Sequence, residues 1–364
     1  MTDTMYLNMG PQHPSTHGVL RLAVEVDGET ILAAKPDIGY LHRCFEKTAE
    51  GLTYPQVLPY TDRTDYVSAM TNEFAYVLAV EKLLGLEVPP RAQFIRVIMA
   101  ELQRIANHLV WFGTFALDMA AVTPFLYAFR DREKILDLFE RASGARLTYS
   151  YYRIGGVRKD IDGEFVRKTR EFLDYFEEQV LPEYHRLLTG NRIFEIRTQG
   201  TGYISPELVY AYGLSGPMAR GSGVPWDVRK NEPYSGYNRF EFEMALAEGG
   251  DNYARYMVRM KEMAESAKII RQALDGLPEG EYMGKVPKII KPPVGEVYVR
   301  IESPKGELGV FLVSDGSPKP YRLKWRAPSF SNLQVTEVAT RGEKIADLVV
   351  TVGSIDVVLG EVDR

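Results

Sequence analysis

Cysteine is almost missing from this chain of 364 residues: Cys44 is the only one. One thiol makes no internal disulfide and falls short of the four thiolates that usually hold an iron–sulfur cluster. Any redox chemistry must therefore use a cofactor held another way, or held by another chain. Charge of one sign is not in excess either, since 44 Lys and Arg stand against 49 Asp and Glu for a net charge of −5. That balance leaves no global footprint for nucleic acid or an anionic membrane. No segment satisfies G-x-x-x-x-G-K-[ST], the glycines at 200, 221 and 223 do not complete G-x-G-x-x-G, and G-x-S-x-G is missing. A nucleotide-binding subunit is thereby disfavoured, and the nucleophile elbow of a serine hydrolase is not there. The most apolar run, 105–129, is interrupted by Asn107, His108, Asp118 and Pro124. A carboxylate at mid-bilayer is expensive, so the run reads as a buried soluble helix and turn, which is also how a chamber for an apolar ligand looks. The start, Met1-Thr2-Asp3-Thr4-Met5, has no basic region followed by an apolar stretch, so no secretory signal is visible and a cytosolic compartment is expected.

What is present describes a globular chain, 45% hydrophobic and 26% charged, long enough for one large domain or two modest ones. Leu20, Leu22, Val24 and Val26 alternate, Asp27-Gly28 follows, and Ile31 and Ala33 continue, which predicts a hairpin. From about residue 64 the period becomes helical, through Tyr66, Met70, Phe74, Val77 and Leu78 to Gly85. A second helix follows Pro90, a third spans 130–143 with Gly144 as its C-cap, and others cover 164–188 and 251–274, the last capped by Asp251. The Gly-, Pro- and Tyr-rich stretch 199–237 reads as a long structured loop region. After Pro292-Pro293 strands return, and the final apolar run, 345–359, fits either a buried strand or a packed helix. Strands, a helical body and strands again make an α+β arrangement.

The five histidines stand at 13, 17, 42, 108 and 185. A metal site from His13, His17, His42 and Cys44 lacks a compatible backbone, because Pro14 and Gly18 oppose a helix there, so no metal is assigned. His17 also reads as a turn histidine satisfied by backbone, and His108, beside an apolar helical stripe, as a satisfied core or surface histidine. Met257, Met260 and Met263 read as core filler.

Longer motifs carry a resemblance. Asn8-Met9-Gly10-Pro11-Gln12-His13-Pro14-Ser15-Thr16-His17-Gly18, then Gly39-Tyr40-Leu41-His42-Arg43 and Phe45-Glu46-Lys47, resemble the quinone-site subunit of respiratory complex I, the 49-kDa or D subunit family. The likeness continues through Asp65-Tyr66, Thr123-Pro124-Phe125, Arg153-Ile154-Gly155-Gly156, Asp227-Val228-Arg229-Lys230, Arg326-Ala327-Pro328-Ser329-Phe330 and Gly360-Glu361-Val362-Asp363-Arg364, nearly the whole chain. The resemblance implies the fold of the nickel–iron hydrogenase large subunit: an N-terminal β-hairpin region with a quinone-site loop (1–60), a central helical body (61–280) and a C-terminal β-rich region (281–364). Hydrogenases hold their metals with two C-x-x-C pairs. The matching segments here read Thr61-Asp62-Arg63-Thr64-Asp65-Tyr66 and Ser354-Ile355-Asp356-Val357-Val358-Leu359-Gly360, so ligand count alone excludes soft-metal binding and hydrogen activation.

What the family implies instead is a quinone headgroup, ubiquinone or menaquinone, between the Tyr66 hydroxyl and the His17 imidazole, with Asp118 beside that histidine. Reducing a quinone to a quinol takes two electrons and two protons, so donors are needed near both carbonyl oxygens, and a carboxylate partner would favour the imidazolium. On local grammar alone Asp118 also reads as a helix cap or a paired structural aspartate, and Tyr66 as a helix-packing aromatic. By the same resemblance the electrons come from a [4Fe–4S] cluster in the neighbouring small iron–sulfur subunit, with Arg43 close to it; a surface ion pair is the other reading of Arg43. The chain would be active only inside a NADH (or other donor):quinone oxidoreductase and translocase. It would sit peripherally on the cytoplasmic side of the inner (plasma) membrane among other peripheral-arm and membrane-arm subunits, touching NAD(H) only through distant subunits and no nucleic acid. A non-catalytic scaffold docking partner chains is the alternative, and a soluble metalloenzyme using His13, His17 and His42 is a third reading. Three departures from the family stand out: Cys44 replaces a usual glycine, Thr148 falls where many members carry a cluster-facing histidine, and the segment 279–294 is short. The second makes a lower-potential quinone, or a donor other than NADH, consistent with the sequence.

Overall fold

The computed structural model describes residues 4–13 and 16–364; Met1-Thr2-Asp3 at the chain's start and Pro14-Ser15 of the first motif lie outside the described residues. Strands β1 (Thr4–Met9), β2 (Arg21–Asp27) and β3 (Thr30–Asp37) make an antiparallel meander. β2 and β3 are the expected hairpin, turning through Gly28 at φ 59, a conformation glycine takes without a steric penalty. Leu22, Val24 and Val26 bury one face of β2.

Short helices α1 (Phe45–Ala49) and α2 (Tyr54–Thr61) lead to the helical body of α3 (Ala69–Leu84), α4 (Pro90–Leu117) and α5 (Val122–Ser143). Gly85 and Gly144, both left-handed, close α3 and α5, and Pro90 opens α4 where its missing N–H costs nothing. The expectation of a helix from residue 64 is corrected: α3 starts at 69, and Tyr66 stands in the turn before it. Asp65 explains the delay, because its Oδ1 accepts the N–H groups of Val67 at 3.1 Å and Ser68 at 3.2 Å and so holds a turn in place of a helical ladder. α5 begins earlier than the expected 130, with Pro124 in its first turn where proline is tolerated.

A small hairpin, β4 (Tyr152–Arg153) with β5 (Gly156–Val157), precedes α6 (Gly163–Tyr175), which runs on through π-helical turns at Phe176–Val180 and His185–Thr189 on either side of α7 (Leu181–Tyr184). After α8 (Arg192–Thr198), the expected loop region holds three short helices, α9 (Pro206–Tyr212), α10 (Pro217–Arg220) and α11 (Val228–Asn231). α12 (Asn252–Asp275) is capped as expected, Asp251 Oδ1 accepting the Ala254 N–H at 2.7 Å. A second antiparallel sheet follows, β6 (Gly295–Ser303), β7 (Gly306–Ser314) and β8 (Arg322–Arg326). The chain then runs through α13 (Pro328–Leu333), α14 (Thr336–Thr340), α15 (Ile345–Ile355) and α16 (Leu359–Asp363), so most of the last apolar run is helix. The molecule is thus a mixture of helix and sheet, and among the described residues no helix is long and apolar enough to cross a membrane.

Two hydrophobic clusters set the layout. One joins α3, α4, α5 and α12 to the second sheet, with Met260 and Met263 buried in it; the other joins the N-terminal sheet to the last helices. α15 serves both, giving Val350 to the first and Leu348, Val352 and Ile355 to the second. Trp111 on α4 fixes the contact by donating its Nε1–H to the Gly353 carbonyl at 2.8 Å. The bundle also encloses an ionic network. Arg229 pairs with Glu101 at 3.1 Å and Asp227 at 2.7 Å, and Arg220 with Glu262 at 2.6 Å and Glu302 at 2.7 Å. His108 lies in the core with Nε2 2.9 Å from Glu262 Oε2. Burial opposes the charge on Glu101, but Arg104 and Arg229 outweigh it and hold the carboxyl down at about 2.

Candidate functional site

His17 lies in the turn between β1 and β2, which Thr16 closes by donating its hydroxyl to the His13 carbonyl at 2.8 Å. Asp118 sits at the C-terminal end of α4, where the helix dipole disfavours a carboxylate. The two meet directly: His17 Nε2 is 2.8 Å from Asp118 Oδ2, both side chains nearly buried. Burial works against a charged imidazole, but the Asp118 hydrogen bond and charge, with Asp356 further off, outweigh it and raise His17 above the ordinary histidine range. The bond to Asp118 commits Nε2 of the imidazole.

α15 closes over this pair through Gly353. A Cβ there would stand 2.3 Å from Asp118 Oδ2 and 3.3 Å from His17 Nε2, so only glycine lets the helix approach. Along the same segment, Leu359 packs on Gly18, and a Cβ on Gly360 would stand 2.4 Å from the Thr64 carbonyl, 3.2 Å from Arg43 Nη2 and 3.2 Å from Tyr66 Cε1. The C-terminal segment from Gly353 to Gly360 therefore backs the His17–Asp118 pair at one end and Tyr66 with Arg43 at the other. Gly360 entered the sequence reading only inside a motif and Gly353 not at all, although a glycine inside an apolar helical run is costly unless something approaches closely.

Tyr66 is half-buried, and burial, with Asp65 beside it, raises its phenol above the ordinary value, so it stays a neutral O–H donor. Arg43 is exposed; its Nη2 donates to the Arg63 carbonyl at 2.7 Å and its guanidinium lies 4.7 Å from the centre of the Phe45 ring. The end of the chain ties down the neighbouring loop: the Asp363 carboxylate accepts the N–H groups of Gly39 at 2.9 Å and Leu41 at 2.7 Å, and His42 Nδ1 donates to the Asp363 carbonyl at 2.6 Å. His42 and Cys44 approach to 3.7 Å, yet among the described residues no group of three or more His, Cys, Asp or Glu is placed to hold a metal ion. Behind Tyr66, Lys305 from the β6–β7 turn is buried with its Nζ 3.1 Å from Asp65 Oδ2 and 3.8 Å from Asp356 Oδ2. An open cleft of about 880 Å³ between α3, β6 and the 232–235 loop is lined by none of these residues.

The arrangement places a neutral phenol and a carboxylate-backed imidazole against one C-terminal segment. Comparison with known proteins gives the family. Residues 118–364 match the family described as respiratory-chain NADH dehydrogenase, 49 Kd subunit. A D subunit of the NADH-quinone oxidoreductase of Symbiobacterium thermophilum, the one numbered 2, is 54% identical over 379 aligned positions, covering 100% of this chain and 99% of that protein. The NADH-quinone oxidoreductase D subunits of Bacillus cytotoxicus and Geobacillus kaustophilus are each 54% identical over 363 positions, with the same coverage. A match over most of the chain and full-length relatives lead to one conclusion: this chain belongs to the 49-kDa subunit family of respiratory-chain NADH dehydrogenase.

Proposed function

We propose that this chain forms, with a small iron–sulfur subunit of a proton-pumping respiratory complex I, the site where quinone is reduced to quinol. It is an oxidoreductase subunit of complex I by its family, and the site assignment follows from the residues. Tyr66 donates its O–H to one carbonyl oxygen of the headgroup and His17 its Nδ1–H to the other, while Asp118 orients the imidazole and favours its charged form. The small subunit's [4Fe–4S] cluster would supply the electrons, and Arg43, exposed beside Gly360, is the residue whose charge would favour that cluster's reduced form. The chain would lie peripherally against the cytoplasmic side of the membrane that holds its partners.

A hydrogenase-like origin fits the same reading. The two segments that match the hydrogenase metal-binding pairs meet where Gly360 packs on the Thr64 carbonyl, and a lysine ammonium bridges their carboxylates Asp65 and Asp356. In that reading 1–60, 61–280 and 281–364 are the three parts of the hydrogenase-like body.

The observation that carries the proposal is the His17–Asp118 bond, held under Gly353 on the segment whose Gly360 backs Tyr66. In the assembled complex, Tyr66→Phe and His17→Ala should leave subunit composition intact and lower quinone reductase turnover by about 10²-fold or more, the usual contribution of a positioned acid. Wild-type turnover in both variants would overturn the assignment.

A further inference from the structure

We propose that Glu361, with Lys305, Asp65 and Asp356, forms a buried proton reservoir that restores the Tyr66 hydroxyl after it has given its proton to the substrate. The inference rests on the reading of Tyr66 as a donor and extends it to residues behind the site.

Four elements bring the cluster together: the turn before α3 carries Asp65, the β6–β7 turn Lys305, the end of α15 Asp356, and α16 Glu361. Asp65, Lys305 and Glu361 are buried, and the Asp356 side chain keeps only 12% of its surface exposed. Lys305 binds Asp65 and Asp356 as above and donates to Asn107 Oδ1, whose amide in turn donates to Asp356 Oδ2 at 2.9 Å. Glu361 has one oxygen satisfied, Oε1 accepting the Ser329 N–H at 2.9 Å, while buried Oε2 has no hydrogen-bond partner among the described residues. One ammonium cannot neutralise three carboxylates in a dry interior, so one of them takes up a proton. Burial, with Asp65 close by, pushes the Glu361 carboxyl up to about 7 against the pull of Lys305.

The other charges facing the cluster leave this count standing. Arg259 approaches from α12, donating to the Ile355 carbonyl at 3.2 Å and attracting Asp356, while the Asp356 charge also reaches His17, which Asp118 pairs. Tyr66 feels Asp65 and Lys305 directly, and Arg43 from the outer side. A purely structural tie would need only Lys305 and two acids; Glu361 adds a buried carboxyl with an open oxygen.

The chemistry balances. A quinone would take two electrons, delivered one at a time through the partner's iron–sulfur cluster, and two protons: the Tyr66 O–H bond breaks as an O–H bond forms on one headgroup oxygen, leaving a tyrosinate, and His17 gives the second proton to the other oxygen. Tyrosinate is a much stronger base than the Glu361 carboxylate, so the Glu361 proton moves to the phenolate oxygen, leaving a carboxylate beside Lys305. A proton taken up from bulk solvent then restores Glu361, so the net change is one solvent proton consumed per turnover at this oxygen.

The test uses the assembled complex carrying Glu361→Gln, which keeps the side chain's size and its acceptor for Ser329. The expected result is a fall in kcat of at least about tenfold with KM for quinone unchanged. The dependence of kcat on pH near neutrality should flatten, and Glu361→Asp should restore part of the rate. Infrared titration of the wild-type complex should show a carboxylic-acid carbonyl band titrating near neutral pH that Glu361→Gln removes; no such band in the wild type would overturn the proposal even if the variant failed to assemble. Wild-type kcat and pH profile in Glu361→Gln would overturn it too, as would a loss confined to KM. If Tyr66→Phe in the same complex kept full turnover, the donor reading itself would fall; loss in Tyr66→Phe with none in Glu361→Gln would remove the reservoir alone.

Discussion

Position 44 carries a cysteine in left-handed backbone, φ 56, at the start of α1 and exposed to solvent. A side chain there costs about 1 kcal/mol that glycine avoids, which gives a physical reason for glycine at this place in the resembling family. Cys44→Gly should therefore stabilise the chain by about 1 kcal/mol in denaturant unfolding; a loss of stability would show that the thiol makes a contact worth more than the strain. His17 makes a prediction of the opposite kind. Its folded pKa lies above the free value, so the His17–Asp118 bond stabilises fully below about pH 6.5 and weakens as pH rises through the higher folded value. The stability gap between wild type and His17→Asn should accordingly shrink as the pH is raised from about 6 to about 9. A gap that widens on the alkaline side would mean that the imidazole is neutral in the fold.

At the scale of elements, the last two helices matter most, since α15 and α16 bring their glycines against His17, Asp118, Tyr66 and Arg43. Gly353→Ala should favour the helix intrinsically yet push Asp118 off His17, lowering turnover and moving the His17 titration down toward the free value. An unshifted histidine resonance in Gly353→Ala would contradict the packing described. The helical period of α3, α4 and α12 was legible in the sequence, as were the caps at Gly85, Gly144 and Asp251, because propensity and packing agree there. Other features were not. β1 presents Thr4, Met5 and Tyr6 to solvent, so no alternation marks it. Tyr66 followed a helical period that Asp65 interrupts through its own hydrogen bonds. The pairing of His17 with Asp118 came from family likeness, because a contact between a turn and a distant helix end leaves no local periodic signal. The Lys305 cluster left none either, its members arriving from four separate elements.

For the molecule as a whole, a charged interior links the helical body to the second sheet. Arg220 joins Glu262 on α12 to Glu302 on β6, and Arg229 joins Asp227 to Glu101 on α4. Breaking such a pair strands a buried charge, so Arg220→Met should cost about 3–5 kcal/mol of stability, measured by denaturant unfolding. A change under about 1 kcal/mol would mean that water reaches the network. This frame holds His17 and Tyr66, contributed by distant parts of the chain, against its C-terminal segment. The direct test is a structure of the assembled complex with a quinone analogue bound. One headgroup oxygen should lie within hydrogen-bond distance of Tyr66 Oη and the other near His17 Nδ1. A headgroup seated elsewhere, touching neither side chain, would contradict the site.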